Sequence, residues 1–241
     1  MKAAIISDIH GNVEAFQAVL SDMERQHISS VACLGDNVGY GPEPEAVVNL
    51  IREKEIPCVI GNHELALMKT GHLSRMNPTA RRSAVMTRDL ISSETMRYIG
   101  GLKSTMHFHG ALCVHGCPPA SVVTYLTMLS EQDLVEVFRS YDERICFVGH
   151  THELEWVRFD GLRVTRHPLG RAPVELKPDR RYIINAGSVG QPRDGDNRAK
   201  YVIWDPAEHW VQARFVPYDI AKTADRILEL GLPEFNAARL W

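Results

Sequence analysis

Acidic and imidazole side chains recur in pairs where short apolar runs end. "IISDIHGN" places Asp8 and His10 two positions apart, and "ICFVGHTH" places His150 and His152 at the same spacing. On an extended chain, residues two apart point to the same side, so each pair could offer two ligands to one metal ion. Oxygen and imidazole donors without thiolate suit manganese, iron, zinc, nickel or magnesium better than a closed structural zinc site.

Four further apolar runs also end in polar residues. "VACLGDN" ends at Asp36, "PCVIGNHE" at Asn62 and His63, "ALCVHG" at His115, and "YIINAGS" at Asn185. Taken singly, these residues could be turn groups, and a lone histidine is more often structural than a ligand. Because all of them follow strand-like runs, we expect them to converge on one sheet edge, where α/β folds bind ligands. The remaining histidines lack this context and are expected to be structural or solvated: His27, His72, His107, His109, His167 and His209.

The number of candidate donors predicts a site for two metal ions. The set is Asp8, His10, Asp36, Asn62, His115, His150 and His152. Seven donors are too many for one ion and suit two ions that share a bridging carboxylate. Two ions about 3.5–4 Å apart activate a water held between them and stabilise an in-line displacement at phosphorus. We expect hydrolysis of a phosphate ester with His63 as general acid, and two divalent ions, manganese favoured over iron, zinc or nickel.

The motifs "DIH", "GD", "GNHE", "VHG" and "GHTH", in that order, resemble the signature of the calcineurin-like metallophosphoesterases. "NAGSVGQPRDGD" resembles a branch of small bacterial and archaeal phosphodiesterases and diadenosine-tetraphosphatase-like proteins. The resemblance implies an attacking hydroxide that bridges two metal ions, with His63 as the acid. It also implies a ligand assignment: Asp8, His10 and His152 for one ion, Asn62, His115 and His150 for the other, and Asp36 as the bridge.

One motif departs from the serine/threonine phosphatases of that superfamily, which carry an aspartate and an arginine in "GDxVDRG". Here "GDNVGYG" has Gly39 and Tyr40 at those positions. The orienting partner of His63 is therefore undetermined, and a bidentate arginine contact to a phosphomonoester is missing. Arg193 is our candidate replacement, and Arg193 and Tyr40 are the candidate substrate-binding residues. Three other arginines are expected to be surface charges: Arg75, Arg81 and Arg82.

The order of predicted elements indicates an α/β fold. In the first half, strands alternate with helices, such as one from Val13 to about His27 capped by Asn12, which predicts parallel strands. In the second half, Asp160-Gly161 joins two strands, and a second hairpin follows, which predicts a second and more antiparallel sheet. We therefore expect a four-layer αββα sandwich of two mixed β-sheets flanked by helices. Residues 1–241 are expected to form a single metallophosphoesterase domain with a helical insertion at about residues 64–102, which either covers the substrate or is a packing layer.

Composition restricts the remaining functions. The chain has 241 residues, a formal charge of −3 and a pI near 6.4, which argues against general nucleic-acid binding. It shows no export signal and no apolar stretch near the roughly 20 residues of a membrane span, so we expect a cytoplasmic protein that binds a small phosphorylated substrate. The five cysteines are odd in number, and Cys113 with His115 and Cys117 is a weak alternative metal site. The oligomeric state is not predicted.

Three hypotheses remain open at this point. The first is a dinuclear metal hydrolase of phosphomonoesters, phosphodiesters or dinucleoside polyphosphates. The second is a serine/threonine phosphoprotein phosphatase. The third is a non-catalytic metal-binding scaffold, which is weakened because all the donors and His63 are present.

Overall fold

The computed structural model describes residues 1–241 and contains two mixed β-sheets packed face to face. In spatial order the first sheet contains β2 (Ser30–Cys33), β1 (Ala3–Ile6), β10 (Ala199–Asp205), β11 (Trp210–Val216) and β8 (Val174–Glu175). The second sheet contains β3 (Thr105–Phe108), β4 (Ala111–Val114), β5 (Ile145–Val148), β9 (Arg181–Ala186), β6 (Leu154–Phe159) and β7 (Val164–Pro168). β1 pairs in parallel with β2, and β5 pairs in parallel with β4 and β9, while the other pairs are antiparallel.

Nine α-helices lie outside the sheets. They are α1 (Val13–Arg25), α2 (Pro44–Glu53), α3 (Asn62–Met68), α4 (Thr70–Leu73), α5 (Pro78–Thr87), α6 (Ser93–Gly100), α7 (Glu131–Arg139), α8 (Ile220–Glu229) and α9 (Glu234–Ala238). Short 3₁₀ turns occupy Arg88–Leu90 and Leu126–Met128. Asn12, Asn77 and Ser92 each accept a first-turn backbone hydrogen bond, at 3.1, 2.9 and 3.1 Å. The predicted cap of α1 is therefore confirmed, and α5 and α6 are capped in the same way.

Alternate residues of each inner strand face different layers. Ile5 of β1 packs between the two sheets, whereas Ile6 packs against α1. In the second sheet, Phe147 of β5 faces the first sheet, while Cys146 packs against Phe138 of α7. Successive residues of a strand point to opposite faces, so each sheet is covered on both sides. The predicted four-layer αββα sandwich is confirmed.

The assignment of strands to the two sheets differs from the sequence-based prediction. The hairpin of β10 and β11 does not belong to a separate antiparallel sheet, because β10 pairs antiparallel with β1. The other hairpin, β6 and β7, joins the parallel strands β4, β5 and β9. All seven residues of β10 are buried, which suits the middle of a sheet covered on both faces. Hairpin signals predict neighbouring strands but do not predict which sheet receives them.

The helices α3 to α6 lie between β2 and β3, over the stretch predicted to be helical. They pack against Val38 and against Val48 of α2 in a small apolar cluster to which they contribute Leu67, Ala84 and Ile99. The residues just before α3 form only isolated bridges to Cys33 and Lys103, so the predicted strand there is not regular. No helix combines the length and apolarity needed to cross a membrane.

Candidate metal centre

Five of the residues at the strand ends have left-handed backbone conformations, and their side chains lie close together. The φ angles are 54° at Asp8, 50° at His10, 53° at Asp36, 69° at His150 and 63° at His152. The two residues of each pair are therefore not extended, so the extended geometry expected for these pairs is wrong. Positive φ at such residues costs about 1–3 kcal/mol each and persists where surrounding structure enforces it. Its concentration here marks a functional site.

The first group of donors is Asp8, His10 and His152, all fully buried. Asp8 Oδ1 lies 3.1 Å from His152 Nε2 and 3.7 Å from His10 Nε2. The two Nε2 atoms lie 3.2 Å apart. Three donor atoms at these separations could surround a single ion.

The second group is Asp36, His115 and His150, with Asn62 beside it. Asp36 Oδ2 lies 3.3 Å from His115 Nε2, and Asn62 Oδ1 lies 3.0 Å from the same nitrogen. Asp36 Oδ2 is also 3.8 Å from His10 Nε2 of the first group. Asp36 therefore lies between the two groups, so the structure brings together all seven predicted donors.

The hydrogen bonds of three histidines fix which ring nitrogen faces the site. In each, Nδ1 lies beside a backbone carbonyl, which can only accept, so Nδ1 carries a hydrogen and Nε2 is the nitrogen that faces the site. The pairs are His10 with Val38 (3.0 Å), His115 with Leu34 (2.8 Å) and His152 with Gln191 (2.5 Å). Asp8 Oδ1 is also buried with no hydrogen-bond partner. Lone pairs this close require a proton or a cation between them, so the donor set fits a divalent metal ion.

Burial and neighbouring charges shift the pKa values of the groups in the site. Burial alone would raise the pKa of Asp36, but the charge of His115 holds it well below its usual range. Burial would lower the pKa of His115, yet the Asp36 carboxylate raises it to about 10. Burial lowers the pKa of His150 to about 3 and that of His152 to about 4. Without metal, His115 therefore holds a proton, while the other two rings are neutral, as metal ligands must be.

The Asp8 carboxylate is fixed on one side only. Its Oδ2 accepts hydrogen bonds from Ser7 Oγ (2.6 Å) and the His150 backbone N–H (3.0 Å), which leaves Oδ1 free for a metal. A Cβ at Gly149 would lie 1.9 Å from Ser7 Oγ and 2.6 Å from Asp8 Oδ2, so this position requires glycine. Asn185 donates to the Gly149 carbonyl oxygen (2.9 Å). Asn185 thus supports the loop that carries His150 and is not a member of the donor groups.

Glu64 is a fully buried carboxylate that holds the loop carrying Asp36. Its Oε2 accepts the backbone N–H groups of Asp36 and Gly61, both at 2.9 Å. Its Oε1 accepts those of Asn37 at 2.6 Å and Val38 at 3.3 Å. One side chain thereby joins the Asp36 loop to the start of α3, where Asn62 and His63 lie.

His63 lies against the donor groups with one ring nitrogen unused. Its backbone N–H donates to Asp36 Oδ1 (2.8 Å), and its ring centroid lies 4.5 Å from that of Tyr40. Nδ1 is buried without a hydrogen-bond partner, and a Cβ at Gly39 would lie 2.2 Å from it. Burial lowers the pKa of His63 to about 3. The carboxylate that orients this ring in serine/threonine phosphatases therefore has no counterpart here.

A cavity of about 280 Å³ lies over the donor groups. Tyr40 and Arg193 line it, as do His72, Arg75 and Asn77 from the segment around α4 and α5. His72 and Arg75, which were expected to be structural or solvated, thus also border the cavity, Arg75 as an exposed residue. Arg81 and Arg82 lie outside it, along a separate cleft. The helices after His63 thus both cover the cavity and form a packing layer.

Arg193 is held at the cavity by its own loop. Its Nη2 donates to Gln191 Oε1 (3.1 Å), its buried Nε has no partner, and its guanidinium carbon lies 5.9 Å from the Tyr40 ring centroid. Lys200 is fully buried, and its Nζ lies 2.7 Å from Asp194 Oδ1. This ion pair, buried on the lysine side only, anchors the residue that follows Arg193.

The alternative site at Cys113, His115 and Cys117 is not formed. Cys113 packs between the two sheets, and Cys117 packs in the cluster beneath α7. All five cysteines are free, and none belongs to a donor group.

The chain matches the model of the calcineurin-like phosphoesterase superfamily domain over residues 1–209. An uncharacterized protein of Methanocaldococcus jannaschii is 34% identical over 243 residues, which span 99% of this chain and 96% of the relative. The chain belongs to the calcineurin-like phosphoesterase superfamily. The crystal structure of a metallophosphoesterase from Sphaerobacter thermophilus is 37% identical, with a TM-score of 0.84 over 100% of this chain and 98% of that one. A yeast zinc-dependent endopolyphosphatase is 29% identical over 116 residues, or 44% of this chain and 34% of that protein. As a member of this metal-dependent superfamily, the protein is a phosphoester hydrolase.

Two residues that shape the superfamily site in this chain were missed in the sequence. Glu64 stands next to His63 in "GNHE", but a single acidic residue gives no signal that four backbone N–H groups will surround it. Tyr125 lines the cavity, and its ring stacks on His150 with centroids 3.8 Å apart. Tyr125 precedes a short 3₁₀ turn in a loop without periodicity, so nothing in the sequence places it at the site.

Proposed function

We propose that the protein is a dinuclear-metal hydrolase of a small phosphomonoester, phosphodiester or dinucleoside polyphosphate. The observation that carries this proposal is the convergence of the two donor groups around Asp36, whose Oδ2 lies 3.3 Å from His115 Nε2 and 3.8 Å from His10 Nε2, beside the buried Asp8 Oδ1 that has no hydrogen-bond partner. Asp8, His10 and His152 would hold one ion, and Asn62, His115 and His150 the other. Divalent ions bound there would activate water and offset charge on the phosphoryl oxygens. Manganese as the preferred metal and a cytoplasmic location, which five free cysteines support, belong to the same proposal.

The remaining side chains have roles in binding and proton transfer. His63 would donate a proton to the leaving oxygen, because its ring lines the cavity beside Asp36. This role requires the negative charge of a bound substrate to raise the pKa that burial lowers to about 3. Arg193 would bind a non-bridging oxygen of the substrate, and the Tyr40 ring would pack against its guanidinium group. The helices over the cavity would exclude bulk water from a small bound substrate.

The cavity supports a small substrate over a phosphoprotein. Helices α4 and α5 cover a volume of about 280 Å³, which suits a small molecule better than a folded polypeptide surface. The position of Tyr40 removes the arginine that protein phosphatases of this type use. A non-catalytic scaffold is disfavoured because all seven donors and His63 are assembled.

Two substitutions test the proposed roles. His63→Ala should retain bound metal but lose most activity on substrates with poor leaving groups, since only the proton donor is removed. Asp36→Ala should lose both metal and activity, since it joins the two donor groups. His107→Ala is the matched control, because this histidine lies on the surface against Glu143. Metal content is measured by elemental analysis, with hydrolysis measured on the same samples.

A substrate panel separates the alternatives. Manganese-loaded protein would be compared on bis-para-nitrophenyl phosphate, para-nitrophenyl phosphate, diadenosine tetraphosphate and a phosphopeptide. Full turnover by metal-depleted protein would refute the dinuclear mechanism, and phosphopeptide turnover far above the rest would favour a protein phosphatase. Metal binding without hydrolysis of any substrate would favour the scaffold.

A further inference from the structure

Two arginines without carboxylate partners line the cavity. Arg193 and Arg75 line it, and Arg239 near the C-terminus lies close enough that Arg193, together with burial, lowers its pKa. The arginines that pair with carboxylates lie elsewhere: Arg25, Arg52, Arg139, Arg166, Arg180, Arg198, Arg214 and Arg226. In a chain of net charge −3, unpaired positive charge in one cavity indicates an anionic ligand.

Arg193 is positioned to bind an anion beside His63. Tyr40 and Tyr125, from two different loops, flank its guanidinium, whose charge partly offsets the rise in pKa that burial causes in both phenols. Tyr40 also packs against His63, so the cation lies on the side of the site where the proposed acid lies. The buried Nε of Arg193 has no partner, so a hydrogen-bond donor is available there. Because a general acid faces the leaving group, Arg193 and His63 both lie on the leaving-group side of the site.

The surroundings of His63 favour a leaving group that needs little proton assistance. No side chain accepts a hydrogen bond from Nδ1, and Gly39 approaches that atom too closely for a carboxylate to stand at position 39. In hydrolases where a carboxylate orients a histidine, its removal costs up to about 10⁴-fold in rate. An alkoxide leaving group is strongly basic and requires such assistance. A phosphate leaving group has a second pKa near about 6, so it departs as a stable anion without a proton from His63.

We propose that the bond cleaved is a phosphoanhydride, with Arg193, Tyr40 and Tyr125 binding the departing phosphate. This inference rests on the proposed function and narrows its substrate class. Water oxygen forms the new bond to phosphorus, and the bond from phosphorus to the bridging oxygen breaks. The bridging oxygen leaves with the electron pair as part of an anionic phosphate, and the proton of the attacking water is released to solvent. The products are two phosphate compounds, with no change in oxidation state.

The test compares two leaving groups in four proteins. Tripolyphosphate and diadenosine tetraphosphate have phosphate leaving groups, whereas bis-para-nitrophenyl phosphate has an uncharged aryl group attached to the leaving oxygen. Arg193→Gln should lower kcat/KM for the anhydrides by about 100-fold, as expected for charge-assisted hydrogen bonds, and for the diester by less than about tenfold. Tyr125→Phe should show the same selectivity at about three- to tenfold. Arg163→Gln, at an exposed hairpin position, is the charge-matched control and should behave as the wild type.

A binding measurement gives a readout that does not depend on turnover. The metal-loaded protein should bind methylenediphosphonate at least tenfold more tightly than methylphosphonate in calorimetry, and Arg193→Gln should remove that difference. Equal loss on all substrates, or an unchanged difference between the two phosphonates, would overturn the anhydride assignment while leaving the metal hydrolase intact. Absence of monoester, diester and anhydride hydrolysis together would instead refute the proposed function.

Discussion

Glu64→Gln would test whether the metal ligands depend on a buried carboxylate that binds no metal itself. Glutamate offers two acceptor oxygens, and each receives two backbone N–H groups. Glutamine keeps one acceptor, so its amide nitrogen must face two N–H donors, either those of Asp36 and Gly61 or those of Asn37 and Val38. Burial raises the pKa of Glu64 to about 7, so its carboxyl group is charged above that pH. There, hydrogen bonds to a charged group contribute about 1.5–3 kcal/mol each, so two lost bonds predict a loss of about 3–6 kcal/mol in the free energy of unfolding.

Urea denaturation of the metal-free protein measures this loss without interference from bound ions. Glu136→Gln is the matched control, because Glu136 lies exposed on α7 and pairs only with Arg139, where a change below about 0.5 kcal/mol is expected. Metal affinity should also fall about 10- to 100-fold, since Glu64 fixes the loop of Asp36. A loss of stability below about 1 kcal/mol, with unchanged metal affinity, would show that the loop holds its conformation without this carboxylate.

Two further predictions concern the assembly of the site. Gly149→Ala should lower metal affinity by at least about tenfold in a calorimetric titration, because its Cβ would lie 2.6 Å from Asp8 Oδ2; wild-type affinity would contradict this. Metal binding at pH 8 should release about one proton, because Asp36 raises the pKa of His115 to about 10 and a metal ligand must be neutral. The affinity should therefore rise about tenfold per pH unit below pH 10, and calorimetry in two buffers of different ionisation enthalpy measures the proton; zero release would refute the assignment.

The sequence predicts the site better than it predicts the sheets. Residue types at the strand ends predict the candidate donors. One acid, amide or imidazole group after an apolar run could be a turn residue, but a whole set at successive strand ends favours a shared site. Helix caps such as Asn12 and the turn at Asp160-Gly161 are also predictable, because they depend on neighbouring residues. The pairing of β10 with β1 joins segments almost 200 residues apart, and no local pattern specifies it.

Other features of the site are set by tertiary structure alone. Asp8 and His10 adopt left-handed conformations that their residue types permit but do not require. Tyr125 reaches the cavity only because the loop before α7 passes over His150. Each of these contacts joins segments that are distant in sequence, so a reading of neighbouring residues predicts the chemistry of the donors but not the surroundings that tune them.

The proposed function assigns the chemistry and the choice of substrate to different parts of the chain. The donors stand at strand ends fixed by two packed sheets, and the strain of their left-handed conformations is enforced by that core. Tyr40, Tyr125 and Arg193 stand on three loops whose exchange would leave the sheets intact. Substitutions in these loops should therefore alter which phosphate compound is cleaved, whereas substitutions at strand ends should abolish metal binding. This separation explains how one superfamily fold can serve substrates as different as a phosphodiester and a phosphoanhydride.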